Sequence, residues 1–238
     1  MHPAQLECLR PREIYARVRQ APIAWLPLGA IEWHGWHAPV GLDGHTAHGL
    51  CLRAAEAAGG VVLPPVWAGL DGTIAAHPWT ILEPDPQVLI GWLRTSLHRL
   101  EQFGLRHAIV VSGHFALTQI EALTQLRAEW DEGTHAMGVR TVTLADCPDL
   151  PQPPDHGGRF ETALLQSLRP ELIDMKQIDD EIPGDRPGEE PGGIQRRDPS
   201  HPLYGALGED PRGMPDDLPT VLRDRLTDWL IGIAGKDG

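Results

Sequence analysis

Glu32, His34 and Asp43 fall within a dozen residues, in the stretch Gly29-Ala30-Ile31-Glu32-Trp33-His34-Gly35-Trp36-His37-Ala38-Pro39-Val40-Gly41-Leu42-Asp43. Carboxylate and imidazole together form a ligand set for zinc, manganese or iron, and the missing thiolate argues against a structural zinc site. Glu32 and His34 are two apart, so in an extended chain they leave one face while Trp33 leaves the other. Gly35, Pro39 and Gly41 then turn the chain and return Asp43 toward that face. The grouping reads as half of an open, catalytic metal centre. The alternative is a solvated turn that binds nothing.

Such a centre needs elements to hold it. The stretch follows an apolar run, 23–29, that reads as a strand, with Pro27 marking its end or an edge position. Before it, 11–18 is a short helix with Pro at its first turn. After it come a helix over 46–58 stopped by Gly59-Gly60, an apolar strand over 61–66, and a long loop, 67–86, containing Gly69, Gly72, His77 and Trp79. Asp85 caps a long amphipathic helix with Val88, Leu89, Trp92, Leu93, Leu97, Leu100 and Phe103 at helical spacing, and Gly104 ends it. The clearest buried strand, 108–111, leads at once into Ser112-Gly113-His114, and the helix beyond it carries Leu117, Ile120, Leu123 and Leu126. A fourth strand covers 139–144, a helix 160–168, and a closing helix 220–233.

Strand and helix in alternation predict an α/β fold: a single-domain three-layer α/β/α sandwich over 1–238 with a mainly parallel sheet. Ligands gather at the carboxyl ends of strands in such sheets, and the first and third strands each end in a His-bearing motif. Residues 176–219 form a Pro/Gly-rich arm that is a lid, an interface or a mobile segment.

Composition excludes several classes. The chain has 238 residues, 22% charged and 41% hydrophobic, with a net charge of −13 and no basic cluster. Nucleic acid and anionic membrane are therefore not expected partners. No apolar run is long enough to span a bilayer and no signal peptide is visible. Cys8, Cys51 and Cys147 are scattered, as in a reducing cytoplasm.

Two further groups complete the pattern. His114 follows a strand end, with Gly113 allowing a sharp turn. His156 and Glu161, in Asp155-His156-Gly157-Gly158-Arg159-Phe160-Glu161-Thr162-Ala163, stand where the last loop enters a helix. A first-turn Glu is favoured there by the helix dipole, whether or not it also binds a metal.

With these motifs together, the chain resembles the creatininase (creatinine amidohydrolase) family. That family shows Gly-Ser-x-Glu-Gln-His-Gly-x-His-Leu-Pro and then a bridging Asp, matched here by Gly29 to Pro39 and Asp43. Its Asn-Gly-His-Gly-Gly-Asn is matched in part by Ser112-Gly113-His114, and His-Ala-Gly-Glu-x-Glu-Thr-Ser by His156 to Ala163. Gly208-Glu209-Asp210-Pro211 is a weaker echo of a Gly-Asp-Pro motif. The resemblance implies an amidohydrolase with two divalent ions per subunit (Zn, Mn or Fe) and a metal-bridging hydroxide. Its substrates would be cyclic amides, formamides or short peptide-like molecules, and it implies homo-oligomers, commonly hexamers. Carried over by position, Glu32 and His114 bind one ion, His34 and Glu161 the other, Asp43 bridges, and His156 is catalytic. The alternative is a non-hydrolytic member, either a repurposed biosynthetic enzyme or a metal-binding scaffold.

Departures from the pattern fall on the substrate side. Phe115-Ala116-Leu117 replaces Gly-Gly-Asn, and Arg159 stands where the family has an acid. Arg159 is expected to recognise a substrate carboxylate or else to pair with a neighbouring acid. Phe115, His77 and Trp79 are expected to line the substrate site, and His37 to support the ligands from behind. His45 and His48 are read as packed residues.

Overall fold

A computed structural model describes residues 2–70, 77–178, 184–185 and 187–235. Gly72 of the long loop and Pro183 of the arm lie outside the described residues. In chain order the elements are α1 (Pro11–Gln20), β1 (Ile23–Leu28), α2 (Leu42–Ala58), β2 (Val61–Val62), α3 (Pro86–Gln102), β3 (His107–Ser112), α4 (Leu117–Glu132), β4 (Gly138–Thr143), α5 (Arg159–Leu168) and α6 (Leu218–Ala234). The four strands form one all-parallel sheet in the order β2-β1-β3-β4, with Trp25 beside Ile109 and Val110 beside Thr141.

Period-two alternation divides the core. Trp25, Ile109 and Val111 face α2, α5 and α6, whereas Ala24, Leu26, Leu28, Ala108 and Val110 face α3 and α4. This is the expected three-layer α/β/α arrangement. Trp25 is fully buried, and its Nε1 donates to the Gly59 carbonyl at 3.0 Å, so its one polar atom is satisfied.

From β1 the chain crosses through α2 to β2 on one side, while from β3 it crosses through α4 to β4 on the other. The chain therefore diverges beyond the carboxyl ends of β1 and β3, which is where a parallel sheet opens a crevice. Both His-bearing motifs emerge there.

Two local expectations change, while Pro27 takes the first of its two expected places, as the penultimate residue of β1, which is an inner strand. Its missing N–H is tolerated because the neighbouring strand has already become Pro64-Pro65, and the Pro27 carbonyl still accepts from Val66 N. The same prolines shorten β2 to Val61–Val62, against the expected 61–66. On α3 and α4 the outermost apolar positions are not core: Val88, Trp92, Phe103, Leu117 and Ile120 are exposed. The buried stripe of α4 is Gln119, Ala122, Leu123, Leu126 and Trp130. Asp85 caps α3 as expected, accepting from Gln87 N at 2.9 Å.

The described part of the arm is folded against the rest. Arg196 is fully buried, pairs with Asp185 and donates to the carbonyls of Ala206 (3.0 Å) and Gly208 (2.6 Å). Ile178, Leu203 and Ala206 form a small core of their own. Among the described residues no helix is long and apolar enough to cross a membrane.

Packing is close where β3 ends. A Cβ on Gly113 would sit 2.1 Å from the Asp43 carbonyl oxygen, whereas one on Gly91, in α3, would meet nothing within 4 Å. Gly113→Ala is expected to cost about 1–3 kcal/mol, lowering Tm by several degrees in calorimetry. Gly91→Ala should leave Tm unchanged or raise it slightly. Equal Tm values would disprove the close approach.

Candidate metal centre

β1 ends at Leu28, and in the loop that follows, among the described residues, only Ile31 forms a β-bridge, with Ile81, so regular strand alternation is not what brings Glu32 and His34 together. The loop beyond β1 is held by Glu32 N donating to Val40 O (2.8 Å), Ile81 N to Ile31 O (2.7 Å) and Trp33 N to Thr80 Oγ1 (3.1 Å). His34 folds back until its Nδ1 donates to the Glu32 carbonyl at 2.9 Å. Trp33 turns away, and its Nε1 donates to Tyr204 O of the arm at 2.8 Å.

Asp43 enters from the first turn of α2 and Glu161 from the first turn of α5, positions where the helix dipole favours a carboxylate. Gly157 permits the approach of α5. Its φ is +63°, and a Cβ there would lie 2.6 Å from the His34 carbonyl oxygen. Its N–H donates to Glu161 Oε2 at 2.7 Å.

The two oxygens of Asp43 face different imidazoles. Oδ1 lies 2.9 Å from His34 Nε2, and Oδ2 lies 3.2 Å from His114 Nδ1. Glu161 Oε2 is 3.5 Å from His34 Nε2, and Glu32 Oε2 is 3.5 Å from His114 Nδ1. Glu32 Oε1 is also 3.1 Å from His156 Nδ1. Two compact groups result, Glu32-Asp43-His114 and His34-Asp43-Glu161, with Asp43 common to both; Glu32, His34 and His156 form a third.

Each imidazole is oriented by a backbone carbonyl. His34 donates through Nδ1 to Glu32 O, His114 through Nε2 to Leu70 O (2.6 Å), and His156 through Nε2 to Trp33 O (2.7 Å). A carbonyl only accepts, so each of these nitrogens carries the hydrogen and the other nitrogen faces the carboxylates. This is how a protein presents imidazole lone pairs to a metal. Glu32 Oε2, His34 Nε2 and both Asp43 oxygens are buried without a hydrogen-bond partner, and all four point inward. The residues therefore fit divalent cations.

Electrostatics agree. Burial opposes charge on His34, but Asp43, Glu161 and Glu32 outweigh it and push the imidazole up to about 10. Burial likewise opposes charge on His114, and Asp43 and Glu32 push it up to about 9. For Asp43, burial is outweighed by His34 and His114, which hold the carboxyl well below its usual range. Burial raises Glu161, with a further contribution from Asp43. The field of these carboxylates demands positive charge.

The creatininase family profile, described as creatinine amidohydrolase, matches residues 8–231. The chain belongs to the creatininase family. It is 27% identical to a creatinine amidohydrolase of Pseudomonas putida over 198 residues, 74% of this chain and 76% of that one. It is 24% identical to a 3-dehydro-scyllo-inosose hydrolase of Thermotoga maritima over 185 residues, 72% of this chain and 58% of the relative. Among solved structures, a creatininase crystal structure shares its fold with a TM-score of 0.75 at 24% identity, covering 98% of this chain and 97% of the other. Structures of the same fold include a Zn–Zn form (23% identity, TM-score 0.72, 97% and 95% covered) and an Mn form (24%, 0.69, 97% and 96%).

The positions that depart from the family motifs are occupied as follows. Phe115 packs into the core against Phe160, with ring centroids 6.5 Å apart. Arg159 pairs with Glu209 and donates through Nε to Asp210 O at 2.9 Å, the acid pairing that the sequence left open. His77 packs on Tyr204 at 4.8 Å, and Trp79 is exposed with φ at 59°. His37 is buried beside Glu161's neighbour, its Nε2 2.8 Å from Thr162 Oγ1. Burial and the nearby His34 lower its pKa to about 4, which keeps it neutral. His45 and His48 are half-buried on α2.

Three supports were not legible as such. Asp155 caps α5, accepting from Phe160 N and Glu161 N. Leu207 pairs with His156 through two backbone bonds, Leu207 N to His156 O and His156 N to Leu207 O (2.6 and 3.0 Å). Gln119, fully buried, accepts from Leu70 N at 3.0 Å and donates to Ser112 Oγ at 3.2 Å, fixing the carbonyl that orients His114. The available signal was a polar residue on α4's buried stripe. Gln119→Leu would leave the Leu70 N–H unpaired and is expected to weaken metal binding about 10–100-fold, measured by competition with a chromogenic chelator. Unchanged affinity would mean that Gln119 plays no part in positioning His114.

Proposed function

We propose that this creatininase-family chain is a metal-dependent amidohydrolase that cleaves the C–N bond of a small amide. The observation that carries the proposal is Asp43, whose two oxygens face His34 and His114 separately in a buried site with unpartnered inward-facing atoms. In this reading Glu32, Asp43 and His114 hold one ion and His34, Asp43 and Glu161 the second. Zinc and manganese are favoured by the named forms of the fold neighbours; iron rests on ligand chemistry alone. Ions held there would supply a water made nucleophilic at neutral pH and a Lewis acid for the substrate carbonyl.

His156 moves the proton. Its Nε2 is committed to Trp33 O, which leaves Nδ1 to take a proton and pass it to the departing nitrogen. Glu32 Oε1, 3.1 Å away, steadies the protonated ring. The His156 side chain is 16% exposed, against 5% or less for the five ligand residues, so it alone of the six reaches solvent and substrate readily.

On the substrate side, the loop carrying His77 and Trp79 is joined to the 31–33 segment through Thr80 and Ile81, which makes both residues candidates for pocket walls. Arg159, already paired, is assigned to holding the arm in preference to a substrate carboxylate. Creatinine is not the favoured substrate, because the loop after His114 is altered; a formamide, lactam or short peptide end fits the reading. The Thermotoga relative's name places a keto-inositol beside the amides in a screen. The free thiols of Cys8, Cys51 and Cys147 fit a reducing cytoplasm.

Elemental analysis of protein purified without chelator is expected to find about two divalent ions per chain, falling sharply in Asp43→Ala. His156→Ala should keep the metal and lose about 10²–10⁴-fold in kcat on an accepted amide. One ion or none in the wild type would overturn the two-metal reading and leave the scaffold or repurposed-enzyme alternative. Homo-oligomerisation is also inferred, through the exposed Val88 and Trp92 of α3 and Leu117 and Ile120 of α4. Light scattering should find an oligomer, and a monomer would refute that inference.

A further inference from the structure

At the opposite end of the strands, where β3 and β4 begin, a second group of ligand-type side chains converges. His98 and Glu101 lie three apart on the last turns of α3 and so share a face. His135 comes from the connection between α4 and β4. One ligand atom from each of the three lies within 4.8 Å of the others.

The group is built, not merely adjacent. Glu101 Oε1 accepts from the backbone N–H groups of Ala136 and Met137 (3.1 Å for the latter), which fixes the carboxylate and leaves Oε2 facing His135 Nδ1 at 3.1 Å. The His135 ring is stacked on Trp130 at 3.7 Å with planes 14° apart, and Trp130 is itself anchored by donation from Nε1 to Met137 O at 2.9 Å. Nε2 of His135 is turned toward Gly133, where a Cβ would come within 2.5 Å, so Nδ1 is the nitrogen left to face the group. His98, more exposed, packs its ring 5.0 Å from Trp130 and 5.4 Å from His135. Two rigid ligands and one adjustable ligand on a helix are thus in place before any ion arrives.

We propose that His98, Glu101 and His135 form an accessory Zn2+ site, with water completing the coordination, that ties the end of α3 to the α4–β4 connection. Two imidazoles and a carboxylate suit zinc. Binding takes the place of the His135 Nδ1–Glu101 Oε2 hydrogen bond: the neutral ring carries its hydrogen on Nε2, and the Nδ1 lone pair and Glu101 Oε2 face the ion. The site shares no residue with the Asp43 centre, so it stands or falls independently of the proposed hydrolysis.

The test uses the full chain with the Asp43 centre already loaded, titrated with Zn2+ by calorimetry and followed by thermal unfolding. The wild type is expected to take up about one further Zn2+ per chain and to unfold at higher temperature as zinc is added. His98→Ala, which alters an exposed side chain, should weaken this uptake about tenfold or more, as should His135→Gln. Both variants should keep the metal content of the Asp43 centre. No additional uptake by the wild type, or equal uptake by wild type and His98→Ala, would overturn the proposal.

Discussion

Glu32, Asp43 and Glu161 are buried together, and among the described residues their ion-pair partners are all histidines. Taking a carboxylate out of water costs several kcal/mol even after relaxation, so this grouping persists only where positive charge is concentrated. Local structure supplies part of that charge: the first turns of α2 and α5, the Gly157 N–H, and imidazoles that pair with the carboxylates. What local dipoles leave uncompensated is the demand for cations. Each nearby element answers to this requirement.

That requirement explains why so many backbone carbonyls are aimed outward from the site at imidazole N–H groups. Leu70, Glu32 and Trp33 each contribute one, and each is fixed in turn by another segment. Leu70 is held by Gln119 of α4, and Trp33 by Thr80 and Tyr204. The arm takes part through Arg196, whose guanidinium fixes the carbonyls on either side of Leu207, the residue that brackets His156. A buried guanidinium with a carboxylate and two carbonyl partners orders a Pro/Gly-rich segment that has few apolar side chains of its own.

Much of this architecture was legible because it depends on local pattern. The apolar runs ending in Ser112-Gly113-His114 and Gly29 announced two strands with chemistry at their carboxyl ends, and Asp85 announced the start of α3. The failures share a cause. Val88, Trp92, Leu117 and Ile120 fit a helical period yet are exposed, because the width of a buried stripe is set by how closely α3 and α4 pack and not by hydrophobicity. Pro27 was expected at a strand end or an edge and stands at the end of an inner strand, tolerable there because the strand beside it gives way to Pro64-Pro65.

The sequence by itself determined which residue types were available and the order in which strand ends would deliver them. Glu32, His34, Asp43, His114, His156 and Glu161 could be singled out as candidates from spacing and from the resemblance to the family's motifs, because the capacity to bind a metal is carried by side-chain identity. Only the tertiary structure decided that Asp43 divides its oxygens between two imidazoles, that Arg159 is taken up by Glu209, and that Gln119 stands behind His114. These are distances between segments far apart in the chain, and a sequence pattern encodes periodicity along the chain, not separation across it.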